Sequence, residues 1–486
     1  MRVGHEGVVA LEFLQQTDSE ENQRDELITQ ARGESIDRTL LSSEQAAAMV
    51  ENIQEFHDLG FGTRWLSYDG VDEIRVRFRT TDEVESQASV SRTTEGYYRV
   101  PRIEASQPSD EPIVQWNNPI NTTETEQIIS ELASFPEVRP FYTTNSYLGK
   151  RIWAMDVISP FEGHFFSQAK ASTTKPVLFI TGRQHANEVS STSHILRLVE
   201  LLTTDPDYKP ILDRVNFVIH PITNPDGADL AYELQEMTPD FMLHAGYLGS
   251  LGVDVTSGQW SANPMYPETS VRKDLWEMWL PDIVLNPHGH PSHEWVQLFA
   301  GYSAWVRSRT PNGRAWWAPR GWFMPGFNYI QDPKFEDRKT TAFAIRDRIA
   351  AAISATVPEL NERMYSRRRK YGEWDVDNYK ENIYNDVMIY SALKGSKQSS
   401  SSNNFMIRHP NVTVFQGTTE APDETARGEW LQMVAGAGLQ FDLAHARFLA
   451  ESKYEVKRTR KDYLDATIFT IDRKRPVLPP DEPEAP

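Results

Sequence analysis

The sequence predicts one large α/β domain on a largely parallel sheet, preceded by a smaller accessory region. Three observations carry this. A short, wholly apolar run at Pro176–Thr181 and a second buried-strand run at Val215–His220 have the makeup of strands covered on both faces. A helical pattern, Ser190–Leu202, lies between them at the spacing of a βαβ unit. The residues before about 110 differ from the rest, being rich in charge and in Ser and Thr.

Length and composition set the outer limits. The 486 residues allow two to four domains at roughly 100–200 residues each, or one large domain with an appendage. Hydrophobic residues at 39% supply enough apolar material for a large core, which excludes wholesale disorder. The mean hydropathy of -0.54 and the lack of any run near about 18 apolar residues speak against a membrane span. A net charge of -19 repels polyphosphate and anionic membrane, so neither nucleic acid nor membrane is the expected partner. There are no cysteines, which excludes disulfides, thiolate metal sites and cysteine nucleophiles. Any metal must therefore be held by His and carboxylate. The opening residues have no apolar core behind a basic start, so a cytoplasmic location is expected.

Along the chain, Ile74–Arg79 alternates as a half-exposed strand does, and Ser43–Phe56 has helical spacing. Residues 1–110 read as an accessory β-rich region, with Glu104–Glu111 as linker. The main domain is expected over 111–475 and an acidic, proline-rich, unstructured tail over 476–486. Within the main domain a helix starts near Asn121 and ends before Pro136. Strands are expected at Val138–Thr143 and Arg151–Ile158, joined by a turn at Ser146–Gly149. The strand ending at His220 runs into a turn at Thr223–Gly227, and Pro281–Leu285 and Val412–Phe415 complete the strand candidates. Gly395–Asn404 reads as a flexible loop, and Trp295–Phe323 as an insert dense in Trp and Arg. The basic run Arg367–Lys370 fits a solvated helix end better than a nucleic-acid contact, given the overall charge.

Three strand ends carry chemistry-bearing residues. Gly182–Glu188 (GRQHANE) places a His and a carboxylate at i and i+3, a pair suited to Zn²⁺. The pattern is short, and a loop histidine beside a solvated glutamate would spell the same letters. Leu285–Trp295 (LNPHGHPSHEW) gathers three of the chain's 12 histidines, which a hydrogen-bonded turn explains less well than a metal does. Thr418–Glu424 (TTEAPDE) offers a carboxylate as general base, or else an ordinary helix N-terminus.

Taken in order, Ser146–Ala154, the strand 176–181, His185-x-x-Glu188, Asn224-Pro225-Asp226-Gly227, His288 and Glu420 resemble the zinc carboxypeptidases of the carboxypeptidase A type over roughly residues 112–440. The resemblance implies a mixed, mostly parallel eight-stranded sheet with helices on both faces and one Zn²⁺ per chain. It implies His185, Glu188 and His288 as zinc ligands, with His288 preferred over His290 and His293 because it stands first after its strand. It also implies Glu420 as general base in hydrolysis of a peptide or peptide-like amide by metal-activated water.

The chain departs from the family where substrate carboxylates are gripped. Leu251–Trp260 (LGVDVTSGQW) has no Arg, and between Gly227 and Gly258 the only cationic candidate is His244. Without that planar fork, carboxylate recognition falls to Arg183, Arg272 or the arginines of 307–320, or else the substrate lacks the carboxylate; His244 is the one candidate to replace the oxyanion Arg that the resemblance implies, and His290 lines the pocket. Two other classes stay open: a metal-dependent amidohydrolase acting on a small amide, suggested by His288-Gly289-His290, and a non-catalytic binding protein that keeps the fold.

Overall fold

The computed structural model describes residues 12–15, 73–78, 94–99, 103–108, 111–160, 171–239, 245–261, 263–291, 323–360, 362, 383–389, 395–424, 426–463 and 466–473. The expected helix at Ser43–Phe56, the basic run Arg367–Lys370, the tail 476–486 and all of the Trp-rich insert but Phe323 lie outside them, as do His244 and His293.

In the N-terminal region β1 (Glu12–Gln15), β2 (Glu73–Phe78) and β3 (Thr94–Arg99) form an antiparallel sheet in that order. The main domain opens with α1 (Thr122–Leu132), where Asn121 and Glu124 form a reciprocal capping box. The hairpin β4 (Val138–Asn145) and β5 (Arg151–Val157) follows, then β6 (Val177–Thr181), α2 (Ser190–Thr204) and β7 (Asn216–His220). Next come α3 (Pro225–Met237), α4 (Val271–Trp279), β8 (Ile283–Pro291) and β9 (Met324–Pro325). Short pairings of β10 (Tyr329–Ile330) with β13 (Gly395–Ser396), and of β11 (Ile383–Tyr384) with β12 (Val387–Met388), flank α5 (Glu336–Thr356). The chain closes with α6 (Phe405–Arg408), β14 (Phe415–Glu424), α7 (Gly428–Glu451) and the hairpin β15 (Val456–Tyr463) and β16 (Ala466–Arg473).

The central sheet has the order β4-β5-β7-β6-β8-β14-β9. It holds seven strands among the described residues, not the eight the family resemblance implies. Pairings β7–β6, β6–β8 and β8–β14 are parallel, while those at the two flanks are antiparallel. The sheet is therefore mixed with a parallel centre. Side chains alternate across it with period two. Leu178, Ile180, Phe217, Ile219, Ile283 and Leu285 join the core shared with α1, α2, α5 and α7. Val177, Phe179, Val218 and Val284 instead pack beneath α4 and Phe405. Both faces are covered, which is why these strands read as unbroken apolar runs.

Four local expectations change. Asn224–Gly227 is not a turn but the start of α3: the Asn224 side chain accepts from Gly227 N at 2.9 Å, and Pro225 takes the first helical position, where its missing N–H costs nothing. The strand expected at Pro281–Leu285 runs on to Pro291, so His288 and His290 lie within it. The strand expected at Val412–Phe415 begins at Phe415 and takes in Thr418–Glu424. Pro422 is tolerated there because β14 is bulged between Pro422 and Glu424 and pairs with β9 only at Thr419 and Glu420. The segment expected as a flexible loop contains β13, and its last residue, Asn404, caps α6.

Candidate metal centre

The carboxyl ends of the parallel strands meet at one crevice, where the loops after β6 and β7 and the ends of β8 and β14 converge. Gly182 opens the loop after β6. A Cβ there would lie 2.8 Å from Ile195 Cδ1 and 3.1 Å from Pro221 O, so only glycine lets α2 pack this close. Arg183 follows at φ 54, a left-handed conformation held by its own side chain. Its buried guanidinium donates to Ala186 O at 2.7 Å and Ile120 O at 3.1 Å. Ala186 N donates to Gly246 O, fixing the loop from the other side. The loop is thus pinned on either side of His185.

His185 Nδ1 lies 2.8 Å from Glu188 Oε1. His288 Nδ1 lies 3.0 Å from Glu188 Oε2 and 3.1 Å from His185 Nδ1. One donor atom from each residue falls within 4.8 Å of the others. The two Nδ1 atoms stand 3.1 Å apart, each also within hydrogen-bond distance of a different oxygen of Glu188. They match donors around a common cation: tetrahedral ligation at roughly 2.0–2.1 Å places neighbouring nitrogens about 3.3 Å apart. The residues fit a zinc ion.

Behind the rings stands a second layer. His185 Nε2 lies 3.0 Å from Asp254 Oδ2, and the Tyr247 ring stacks on the imidazole at a centroid distance of 3.8 Å. Asp254 is itself held by Thr256 N at 2.8 Å and Thr256 Oγ1 at 2.7 Å. His288 Nε2 faces Asn286 Nδ2 at 2.7 Å, while Asn286 Oδ1 is buried without a partner. The same Nδ2 donates to Gln184 Oε1 at 3.0 Å, which fixes this orientation of the amide.

The charges explain the titration. Burial works against a charged His185, but Glu188 and Asp254 overcome it and raise the ring to about 10. Burial likewise works against a charged Glu188, yet His185 and His288 bring it down to about 2. Glu420 is directly opposite His288 in the β14–β8 register, and neighbours in that register project to the same face. Its carboxyl is pushed well above the usual range by burial and by Glu188, Asp423 and Glu424, with His185 opposing. Asp423 projects to the opposite face of β14, where Oδ2 accepts from Ser190 N and Ser190 Oγ at the start of α2. Burial and Glu188 raise it well above its ordinary value too.

The structure brings His185, Glu188 and His288 together and sets Glu420 within electrostatic range. His290 is buried two residues further along β8, on the same face as His288. Arg183 and Arg272 are both buried, the first bonded to main-chain carbonyls and the second to Gln184 Oε1 at 2.9 Å. Asp254, Tyr247, Gln184 and Asn286 were not among the sequence candidates. The period-two position of Asn286 before His288 was the available signal for one of them. For Asp254, the Asp-x-Thr pattern of a side-chain-capped turn was there to be read.

Residues 125–263 match the model of the zinc carboxypeptidase family. The chain resembles that family over this segment. The matched segment holds His185, Glu188, Asn224–Gly227 and Asp254, and ends before His288 and Glu420. Among solved structures, the chain is similar to a metallo-carboxypeptidase from Burkholderia cenocepacia at 14% identity and a TM-score of 0.41, covering 65% of this chain and 66% of that one. It is similar to the carboxypeptidase A from Helicoverpa armigera at 14% identity and TM-score 0.41, covering 85% and 95%. A metallo-carboxypeptidase from Pseudomonas aeruginosa gives 13% identity and TM-score 0.39, covering 67% and 68%. No curated protein matches the sequence.

Proposed function

We propose that this chain is a zinc-dependent hydrolase of peptide or peptide-like amide bonds, with one Zn²⁺ held by His185, Glu188 and His288 and with Glu420 as general base. The observation that carries the reading is the convergence of two Nδ1 atoms, 3.1 Å apart, on the Glu188 carboxylate. When bound there, zinc supplies Lewis acidity, polarising an amide carbonyl and making water acidic enough to lose a proton near neutral pH. Asp254 keeps the His185 proton on Nε2, so that Nδ1 faces the centre. Tyr247 covers the outer face of the His185 ring. Glu420 takes the proton from the attacking water and returns it to the leaving amine, from its place opposite His288 in the β14–β8 register.

Specificity is where the reading departs from ordinary carboxypeptidases. Asp254–Trp260 has no Arg, and the buried guanidinium groups of Arg183 and Arg272 are engaged within the protein. We propose that a free α-carboxylate is not what sets substrate register, and that amidated or otherwise blocked ends are accepted. The catalytic unit spans residues 111–475 on this reading, with 1–110 as an accessory region and 476–486 as a tail. The test has two arms. Metal analysis is expected to give about one zinc per chain, with hydrolysis lost on chelation. Matched peptides ending in a free acid or an amide are then compared under zinc-replete conditions. A strong preference for free acids would refute the specificity claim, and hydrolysis that survives chelation would refute the metal one.

A further inference from the structure

One side chain touches the supports of both imidazoles. Gln184 immediately precedes His185 and is buried, 7% exposed. Its Nε2 donates to Thr256 Oγ1 at 3.0 Å and faces the Asp254 carboxylate at 3.2 and 3.3 Å. Its Oε1 accepts from Arg272 Nη1 at 2.9 Å and from Asn286 Nδ2 at 3.0 Å. Asp254 and Asn286 are the residues that meet the outer nitrogens of His185 and His288. One amide therefore ties together the β6 loop, the 251–260 segment, α4 and β8.

We infer that Gln184 is a positioning residue that fixes the outer hydrogen-bond partners of His185 and His288 together, and so sets the affinity of the centre for zinc. The inference rests on the reading of His185, Glu188 and His288 as the metal site. The chemistry of the position leaves few substitutes. A primary amide carries two donors and an acceptor with two lone pairs in one plane without a net charge. A carboxylate here would face Asp254 at hydrogen-bond distance with like charge. An apolar side chain would leave Arg272 Nη1, Asn286 Nδ2 and one side of Asp254 without this partner in a buried setting. The amide also lies between opposite charges, with the Arg272 guanidinium at its oxygen and the Asp254 carboxylate at its nitrogen. Both charges polarise it in the same sense, which strengthens its bonds at each end. Asp254 is thereby held with Oδ2 toward the ring, the arrangement that keeps the His185 proton outside the centre.

The test measures zinc affinity by competition with a chelator, with no assay of activity. Wild-type protein, Gln184→Met, Asp254→Asn and the double variant are compared, with Gln184→Glu as a fifth protein. Loss of an outer partner of a metal-binding histidine costs roughly 10–100-fold in affinity. Gln184→Met is expected to weaken zinc binding about tenfold, and to add less than about threefold once Asp254 is already Asn, because both changes act through one carboxylate. Ring ¹⁵N spectra of the zinc-loaded protein are expected to show the His185 Nε2–H less strongly hydrogen-bonded in Gln184→Met. Should Gln184→Met fail to fold, Gln184→Glu carries the test: it keeps acceptors for Arg272 and Asn286, removes the donor to Asp254 and Thr256, and sets a like charge against Asp254. Wild-type zinc binding with unchanged affinity in whichever variant folds would overturn this inference alone. No zinc binding by the wild-type protein would overturn the metal reading and this inference with it.

Discussion

Glu420→Gln separates the roles at the centre. Glu420 sits in register with His288 across β8 and β14 but is not one of the three converging donors. The amide keeps the shape of the side chain and cannot take a proton from water, so the variant should lose the base and keep the metal. Proton transfer by a positioned group contributes about 10²–10⁴-fold to rate, or roughly 3–5 kcal/mol of barrier. Stability should move the other way. Burial and the carboxylates of Glu188, Asp423 and Glu424 raise Glu420 well above its ordinary value. A carboxyl that holds its proton more tightly when folded destabilises the fold on ionising, so stability falls as pH rises through the ordinary carboxylate value toward the folded one. In the metal-free protein the neutral amide of the variant escapes that loss, and the variant is expected to denature at equal or higher urea than wild type at pH 7. Zinc content, turnover of an amide substrate and urea midpoints are measured on the same preparations. Turnover within a fewfold of wild type would refute the base assignment and move attention to Asp423 or Glu424. Loss of zinc would instead make Glu420 a ligand.

Two further outcomes follow from buried charge away from the centre. Arg473 and Asp282 form a bidentate pair at 2.7 and 2.8 Å, both essentially unexposed, that anchors the last strand to the start of β8. Asp282→Asn leaves the guanidinium without its counter-charge and is expected to cost about 3–5 kcal/mol in chemical denaturation; a loss under about 1 kcal/mol would refute the anchoring role. Glu268 is buried and, with Asp226 nearby, raised to about 7. Its ionisation lowers stability between about pH 4.5 and 7 and has no further effect above that range, so Glu268→Gln should flatten this part of the wild-type stability profile, and parallel profiles would count against it.

The parallel centre of the sheet was legible because each of its strands is buried on both faces, and burial writes an unbroken apolar run such as Val177–Ile180 into the sequence. The position of His185 and Glu188 was legible for a related reason: a polar pair placed between such a run and a helix has to stand at a strand end. What stayed hidden depends on contacts between distant segments. The length of β8 could not be seen, since Asn286, Pro287 and Gly289 are turn-forming residues whose strand conformation is imposed by pairing with β14. The same pairing carries β14 through Ala421 and Pro422, where the sequence alone suggests a helix start. Asp254 was passed over because attention fell on the missing Arg beside it; its role appears only when His185, 69 residues away, is brought to its side.

The register between β8 and β14 is what joins the two halves of the proposed chemistry. Glu420 is opposite His288 and Pro422 opposite His290, so a slip of β14 by one residue would turn the Glu420 carboxylate to the other face of the sheet from the His288 imidazole. Two packing restraints oppose such a slip. Gly289 has no Cβ, and one built there would fall on Asp423 Oδ1 and 2.8 Å from Ala421 O, so a side chain at this position would push β14 away. Asp423 is in turn fastened to the first turn of α2 through Ser190. Since α2 begins directly after His185 and Glu188, the anchor that sets β14 also sets the loop carrying the first two donors. The three donors and the base come from three segments spread over more than 200 residues, yet their relative placement reduces to one strand register and one buried carboxylate at a helix start.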